Sequence, residues 1–526
     1  MSFLMNKLFL YLFLFFPCFC FAQNYDPYFT KGLELYQNKD FAGALEYFNK
    51  EIQVSPNNLD AYNYVGIIKI QQGEFKTAIE AFTKLITLNN EIDLAYSNRA
   101  YAKIELNDFK GAIADCNLAL GLNPKSVLAY TNRGNAKTHL EDDNGALLDF
   151  DKVIEFDNQN ASGYLNRGNI KNHLKDYKGA MDDLNKAISL DDKMSEAYLD
   201  RGITKDNLDD PYGALSDIKK SIEINPDLLQ GYYVLGSLYN ELKNYTESVN
   251  SFNLFIDKAP KNADAFRLRG NANLFLENYG AASRDFTQLI LLDPNSPYGY
   301  LGRGSVKVKL QEFDNAMADF SKAISLKNDL PEAYRARGLL RLNLKNFIGA
   351  VDDYTVALAI DPKNDEAHLY KGLAELQLQR AEPAIADFNY AINLNPENYE
   401  AYFYRALLFM DKKNLTETIT NMDKVIAGGY NLPYAYYIRG YAQANLKNYT
   451  NALTDLSKAI ELNPSNSEAY LKKGWVYFNL NNKIKAKEDW AKAAALGNRQ
   501  AFLLLKVPPT KPHNTVSAEN WQVWKK

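Results

Sequence analysis

Residues 93–126, DLAYSNRAYAKIELNDFKGAIADCNLALGLNPKS, and residues 127–160, VLAYTNRGNAKTHLEDDNGALLDFDKVIEFDNQN, are two copies of one 34-residue pattern. Tyr96 answers to Tyr130, Arg99 to Arg133, Ala112 to Ala146 and Asp115 to Asp149. Prolines carry the register outward: Pro56, Pro124, Pro226, Pro260, Pro294, Pro362, Pro396 and Pro464 are all separated by multiples of 34. With these prolines at position 32, fourteen repeats run from Tyr25 to Gln500 without insertion or deletion. A fixed period of this size marks stacked supersecondary units, so the length of 526 residues does not translate into three or four globular domains.

Within the repeat, Gly occupies position 8 in twelve copies, with Ala100 and Ala406 in the others. Ala occupies position 20 in twelve, with Ser248 and Thr418 as small substitutes. Two small residues at fixed separation let two helices approach closely. An aromatic fills position 4 in thirteen copies, His368 being the departure, and this packing stripe absorbs much of the surplus of 36 tyrosines. Apolar residues recur at helical intervals in each half of the repeat, and polar pieces such as Lys39-Asp40 and Asn107-Asp108 predict the turns. Proline at the end cannot continue a helix. A helical hairpin of this size cannot bury its own apolar face, so neighbours must stack. The expectation is an all-α solenoid of antiparallel helix hairpins.

An aromatic at position 4, Gly at 8, Ala at 20, a large apolar residue at 24 and Pro at 32 resemble the tetratricopeptide repeat. Position 24 carries Phe48, Phe82, Phe150, Leu184, Ile218, Phe252, Phe286, Phe320, Tyr354, Phe388 and Trp490. The resemblance covers residues 25–500 and implies a right-handed superhelix whose inner surface binds partners. One departure is systematic: position 7, usually apolar in that family, is Lys or Arg in twelve repeats. Position 23 is Asp in ten, including Asp115, Asp149, Asp183, Asp285, Asp319 and Asp489. Repeats 2 and 7 lack both partners at once, with Val65 and Ala81 in one and Leu235 and Ser251 in the other. This co-occurrence predicts base-to-acid contacts within each hairpin, between its two helices.

The ends read differently. Residues 1–22 carry one charge, Lys7, then an uncharged apolar run from Leu8 ending in Ala22, which predicts a secretory signal peptide cleaved before Gln23. The run contains Pro17 and is shorter than the roughly 20 apolar residues of a spanning helix. No other stretch reaches spanning length, so no integral membrane insertion of the mature chain is expected. Cleavage removes Cys18 and Cys20 and leaves Cys116 as the sole thiol, in a core slot, so stability must come from packing. Residues 501–506 predict an apolar cap on the exposed end of the stack. Residues 507–526 read as a Pro-rich linker, with Pro508, Pro509 and Pro512, and a tail bearing Trp521 and Trp524.

Sixty basic against 64 acidic residues leave a net charge of -4, without the basic excess that nucleic-acid binding needs. No metalloprotease, phosphate-loop or nucleophile-elbow motif occurs, and no catalytic residue, metal or cofactor is expected. His139 and His173 share position 13 of neighbouring repeats, one hairpin apart and without a carboxylate or Cys cluster to complete a metal shell.

The resemblance implies that positions 2, 5, 6, 9, 12 and 13 of each first helix line the inner surface. In repeats 3 to 5 these are Asn98, Thr131, Asn132, Asn135, His139, Asn166, Asn169, Asn172 and His173, an amide-rich strip able to hold a peptide backbone or a sugar. In repeats 11 to 14 they are aromatic: Tyr370, Phe403, Tyr404, Tyr437, Tyr441, Trp475 and Phe478. Aromatics with polar tips serve as binding anchors and equally as packing between repeats. The family's clamp for a C-terminal carboxylate needs Lys at position 5, where this chain has Phe29, Asn63, Ser97, Thr131 and Leu165. The expected function is a non-enzymatic protein-protein interaction scaffold, exported to the periplasm or cell exterior, that binds proteins or peptides in its groove. The alternative is a carrier or assembly factor for an envelope polysaccharide.

Overall fold

The computed structural model describes residues 26–507; the signal peptide expected at 1–22 and all of the expected linker and tail beyond Val507 lie outside the described residues. Among the described residues there are 29 helices and no strand. In repeat 3 the two helices are Asp93–Glu105 and Phe109–Leu122, and in repeat 4 they are Val127–His139 and Asp143–Phe156. The same pair recurs through Ser467–Asn479 and Lys483–Ala495, after which Arg499–Lys506 buries Ala501 against the last hairpin. Among these helices none is long and apolar enough to cross a membrane.

The chain divides into two compact units, residues 1–242 and 243–526, and the division falls in the turn of repeat 7. The first unit holds repeats 1 to 6 and the helix Leu229–Glu241; the second begins with Tyr245–Lys258 and continues through repeats 8 to 14. Within each unit the two helices of every complete hairpin pack on one another, and each second helix packs on the helix that follows it, as a solenoid requires.

The turn inside each hairpin is built one way. Position 15 is left-handed in all fourteen, from Lys39 (φ 62°) and Asn107 (φ 61°) to Asn481 (φ 60°), and only Gly73 (φ 75°) is a glycine. Where position 16 is Asp it caps the second helix: the Asp108, Asp142 and Asp176 carboxylates accept from the backbone N–H of Gly111, Gly145 and Gly179 at 3.0 Å. A Cβ on Gly111 would stand 2.1 Å from that carboxylate, which explains glycine at position 19.

The small residues at 8 and 20 place the core. Ala at position 20 is fully buried in every repeat that has it. Gly at position 8 lies against the ring at position 24: a Cβ on Gly66 would come within 2.5 Å of Phe82, and one on Gly474 within 2.5 Å of Trp490. Glycine here makes room for a large side chain as much as for a close helix approach. Cys116 takes the same slot, fully buried, and burial pushes its thiol up to about 12, which makes it unreactive at neutral pH.

Candidate functional site

All ten acids at position 23 pair with the base at position 7 of the same hairpin, as expected. The arginine pairs are two-pronged: Arg99 Nε and Nη2 donate to the two oxygens of Asp115 at 2.8 and 2.7 Å. The remaining nitrogen bonds position 25 of the preceding hairpin, as Arg133 does to Asn117 and Arg167 to Asp151. Every arginine at position 7 also lies over the aromatic at position 4, with guanidinium carbon to ring distances of 5.2–5.8 Å. The position 4 column is therefore a platform for arginine as well as a packing stripe.

The sequence reading missed a second cation. Position 11, four residues after the arginine and so on the same helix face, carries Lys103, Lys137, Lys171, Lys205, Lys307 and Arg341, each within 2.8 Å of the same Asp. Burial alone would raise the Asp319 carboxyl, but hydrogen bonds from Arg303 and Lys307 hold it below the usual carboxylate range, and Arg201 and Lys205 do the same for Asp217. This network occupies the hairpin interior and fixes the first helices in register, leaving their other face free of it.

On that face in the first unit, the amides bond groups of the neighbouring repeat. Asn132 is fully buried and its Nδ2 donates to the Ser97 carbonyl of the preceding repeat at 2.9 Å. Asn166 is buried and reaches the Oδ1 of buried Asn135 at 3.5 Å. Asn172 Nδ2 donates to Thr204 Oγ1 at 2.9 Å, and Asn169 hydrogen-bonds Asp200, whose carboxyl burial pushes up to about 7. His139 stacks on Phe109 at 4.4 Å, while exposed His173 points Nδ1 at Asp143, 3.6 Å away. No group of three or more His, Cys, Asp or Glu is placed to hold a metal among the described residues. Asn98, Thr131, Asn169 and His139 are half-buried.

In the second unit, aromatics at position 6 stack on position 24 of the preceding hairpin: Tyr370 on Tyr354 at 6.1 Å and Tyr404 on Phe388 at 6.2 Å. Tyr437, Trp475, Phe403 and Phe478 are buried, Trp475 edge-on to Trp490 at 5.4 Å. Tyr404 and Tyr441 keep part of their surface open. Buried Lys472, which sequence reasoning passed over, places its ammonium 5.2 Å from the Tyr441 ring, and burial lowers its pKa to about 8. Of the residues expected to line an open face, Asn132, Asn135, Asn166, Tyr437 and Trp475 are thus closed off between helices. The buried amides find partners on the neighbouring repeat, Asn132 at Ser97 and Asn166 at Asn135, which helical periodicity within one repeat does not report.

Family models for the tetratricopeptide repeat match residues 29–91, 94–126, 161–194, 229–262, 298–330, 335–396, 369–420, 433–466 and 456–488, together more than half of the chain. The chain belongs to the tetratricopeptide repeat family. Proteins of this family are typically non-catalytic scaffolds, and the repeats imply a scaffold for protein-protein interaction. It is similar to the APC/C hetero-tetramer Cut9-Hcn1 (16% identity, 91% of this chain and 95% of that one, TM-score 0.38). It is similar also to yeast Tom70 (20%, 79% and 94%, TM-score 0.37). A third likeness is to a tetratricopeptide repeat protein from Parabacteroides merdae (21%, 47% and 98%, TM-score 0.36). Comparison with curated proteins finds no significant match.

Proposed function

We propose that this tetratricopeptide chain is exported and holds partner proteins together in the cell envelope, binding them as extended segments along the first-helix face of each unit. The charged and apolar end at residues 1–22 supports export. The observation that carries the binding surface is the division of labour in the repeat: the Arg, Lys and Asp network lies inside the hairpins, while Asn98, Thr131, Asn169, His173, Tyr404 and Tyr441 retain open surface on the other side. Polar groups held rigidly by a scaffold lose little entropy when a peptide docks.

The test is capture of partners by the tagged full chain from an envelope fraction of the native cell after mild cross-linking, with mass spectrometry. Loss of a protein partner on Asn98→Ala with Asn169→Ala is the expected outcome. Recovery of polysaccharide alone, released by Tyr404→Ala with Tyr441→Ala, would overturn the protein reading in favour of a polysaccharide carrier. Recovery of the chain solely from the cytosol with its first residues intact would overturn export.

A further inference from the structure

The last helix, Arg499–Lys506, begins a hairpin that the described residues do not complete. Its register follows from its cap: Asn498 accepts from the Ala501 N–H at 3.0 Å, as Asn466 accepts from the Ala469 N–H at 3.0 Å at the start of Ser467–Asn479. Ala501 therefore answers to Ala469 at position 3, Phe502 to Tyr470 at position 4 and Leu503 to Leu471 at position 5. Both alanines are fully buried, but Leu471 is 0% exposed and Leu503 56%. Phe502 is half exposed, with the Lys506 ammonium 4.6 Å from its ring, and Val507 is exposed beside them.

Repeat 1 shows what covers position 5 elsewhere. Phe29 has no hairpin before it among the described residues and is still buried, because Phe48 at position 24 of its own second helix lies 5.5 Å away and Tyr64 of the next first helix 6.1 Å away. In repeat 14 the Trp490 indole fills position 24, its Nε1 donating to the Leu471 carbonyl at 3.3 Å. Position 24 is an aromatic ring in nine of fourteen hairpins, so what this seat takes is a large ring from the chain that follows. Beside Leu503 the described residues supply none.

The chain that follows carries such rings. Pro508 and Pro509 cannot continue the helix, and residues 513–526, HNTVSAENWQVWKK, then hold Trp521 and Trp524, two of the chain's four tryptophans, at a spacing that shares one helix face. Thirteen residues separate Val507 from Trp521. They reach up to about 40 Å, against about 12 Å for the length of the last helix.

We propose that the chain's own C-terminal segment, residues 513–526, docks on the open face of Arg499–Lys506 and seats its tryptophans against Phe502 and Leu503, where position 24 stands in a complete hairpin. Burial of large rings on an exposed apolar face favours docking, and the tether keeps the segment at high effective concentration. Docking closes the end of the stack, where a solenoid otherwise exposes the seat for a further unit. It needs no partner, so it stands or falls apart from the scaffold reading.

Fluorine NMR of the full chain labelled with 5-fluorotryptophan reads the tail directly, with Trp521→Phe and Trp524→Phe assigning its two resonances. The reference is the labelled peptide 513–526. In the unaltered chain both resonances should lie away from the peptide's positions, and Phe502→Ser with Leu503→Ser should return them there. The Trp475 and Trp490 resonances should stay displaced in that variant, showing the last complete hairpin still folded. A second measurement leaves the last helix untouched: Trp521→Ala with Trp524→Ala should speed hydrogen exchange of residues 499–506 and leave residues 467–495 unchanged. Tail resonances at the peptide's positions in the unaltered chain overturn the proposal, as does unchanged exchange across 499–506. Displacement that survives Phe502→Ser with Leu503→Ser puts the tail on another surface, and displacement lost on dilution makes a second copy's tail the occupant; either result also overturns it.

Discussion

Repeats 3 to 6 and repeats 11 to 14 use one 34-residue plan and stabilise it differently. In the first group each hairpin has the full set of Arg at 7, Lys at 11 and Asp at 23, and amides join neighbouring repeats on the other side of the first helices. In the second group the set erodes. Repeat 11 has Lys371 with His368 on Asp387, and repeat 12 has Asn421 in place of the acid. Repeat 14 has Lys473 at 3.4 Å from Asp489, whose pKa burial raises despite that lysine. Where charges are lost, rings replace them: Phe388, Phe403, Tyr404, Trp475 and Trp490 crowd the same helices. The repeat thus tolerates two sources of cohesion.

The sharpest way to break this comparison is to remove the acid in each group. Asp149→Ala leaves Arg133 and Lys137, both about four-fifths enclosed, without their carboxylate. It should cost about 2–3 kcal/mol, somewhat below the roughly 3–5 kcal/mol of a fully buried broken pair because both cations reach water. Asp489→Ala, paired through one longer contact, should cost less than about 1 kcal/mol. Local stability read by hydrogen exchange of the full chain distinguishes them, since unfolding in repeat arrays is not uniform. Equal losses would show that the charge network matters equally in both groups.

Next in size is a repair. Arg405 bonds Asn421 Oδ1 at 2.9 Å, burial lowers its pKa, and position 11 of that repeat is Phe409. Asn421→Asp forfeits the amide bond from Asn421 Nδ2 to the Glu417 carbonyl, so alone it should gain little. Combined with Phe409→Lys it rebuilds the trio of repeats 3 to 6, and a double-mutant cycle should show about 1 kcal/mol of favourable coupling. Absence of coupling would mean that the aromatic packing of repeat 12 has no room for the charged plan.

How far the sequence reveals all this depends on whether a contact has a repeating letter. The period, the glycines at 8, the alanines at 20 and the Arg-to-Asp pairs recur in the same slots, so fourteen internal copies expose them. The acceptor at position 25 is Thr83, Asn117, Asp151 or Ser321, different letters doing one job, and no pattern announces it. Lys103 and its counterparts at position 11 did repeat, but a lysine one turn from an arginine reads as solvated surface until the hairpin closes. Burial of Asn132 and Tyr437 depends on the neighbouring repeat, which helical periodicity within one repeat does not report.

A smaller effect separates two carboxylates of one hairpin. Asp217, held below the usual range, contributes stability that is present above the unfolded pKa near 4 and is lost as pH falls through its lower folded value. Asp200, on the amide face and raised to about 7 by burial, binds its proton more tightly folded than unfolded. Its contribution is therefore greatest below pH 4 and declines as pH rises towards 7. Asp200→Asn should flatten the fall in stability of repeats 5 and 6 between pH 4 and 7, followed by hydrogen exchange corrected for intrinsic rate. The profile of repeats 11 to 14, where burial raises Asp489, should be unaltered by that substitution.

The smallest effect is one the two groups should share. Position 15 is left-handed in both, carried by Lys175 in repeat 5 and Lys447 in repeat 13. A side chain with a Cβ is strained there, whereas glycine pays more entropy in the unfolded chain, so the two terms nearly offset. Lys175→Gly and Lys447→Gly should each stabilise by about 0.5 kcal/mol, and Gly73→Lys should lose a similar amount. Thermal unfolding of the three variants measures it. Matching values would place the turn outside the distinction between the charged and the aromatic groups, since its geometry is set by the backbone and not by what fills the hairpin. A gain confined to Lys175→Gly would instead show that the aromatic repeats already relieve the strain by shifting their helices.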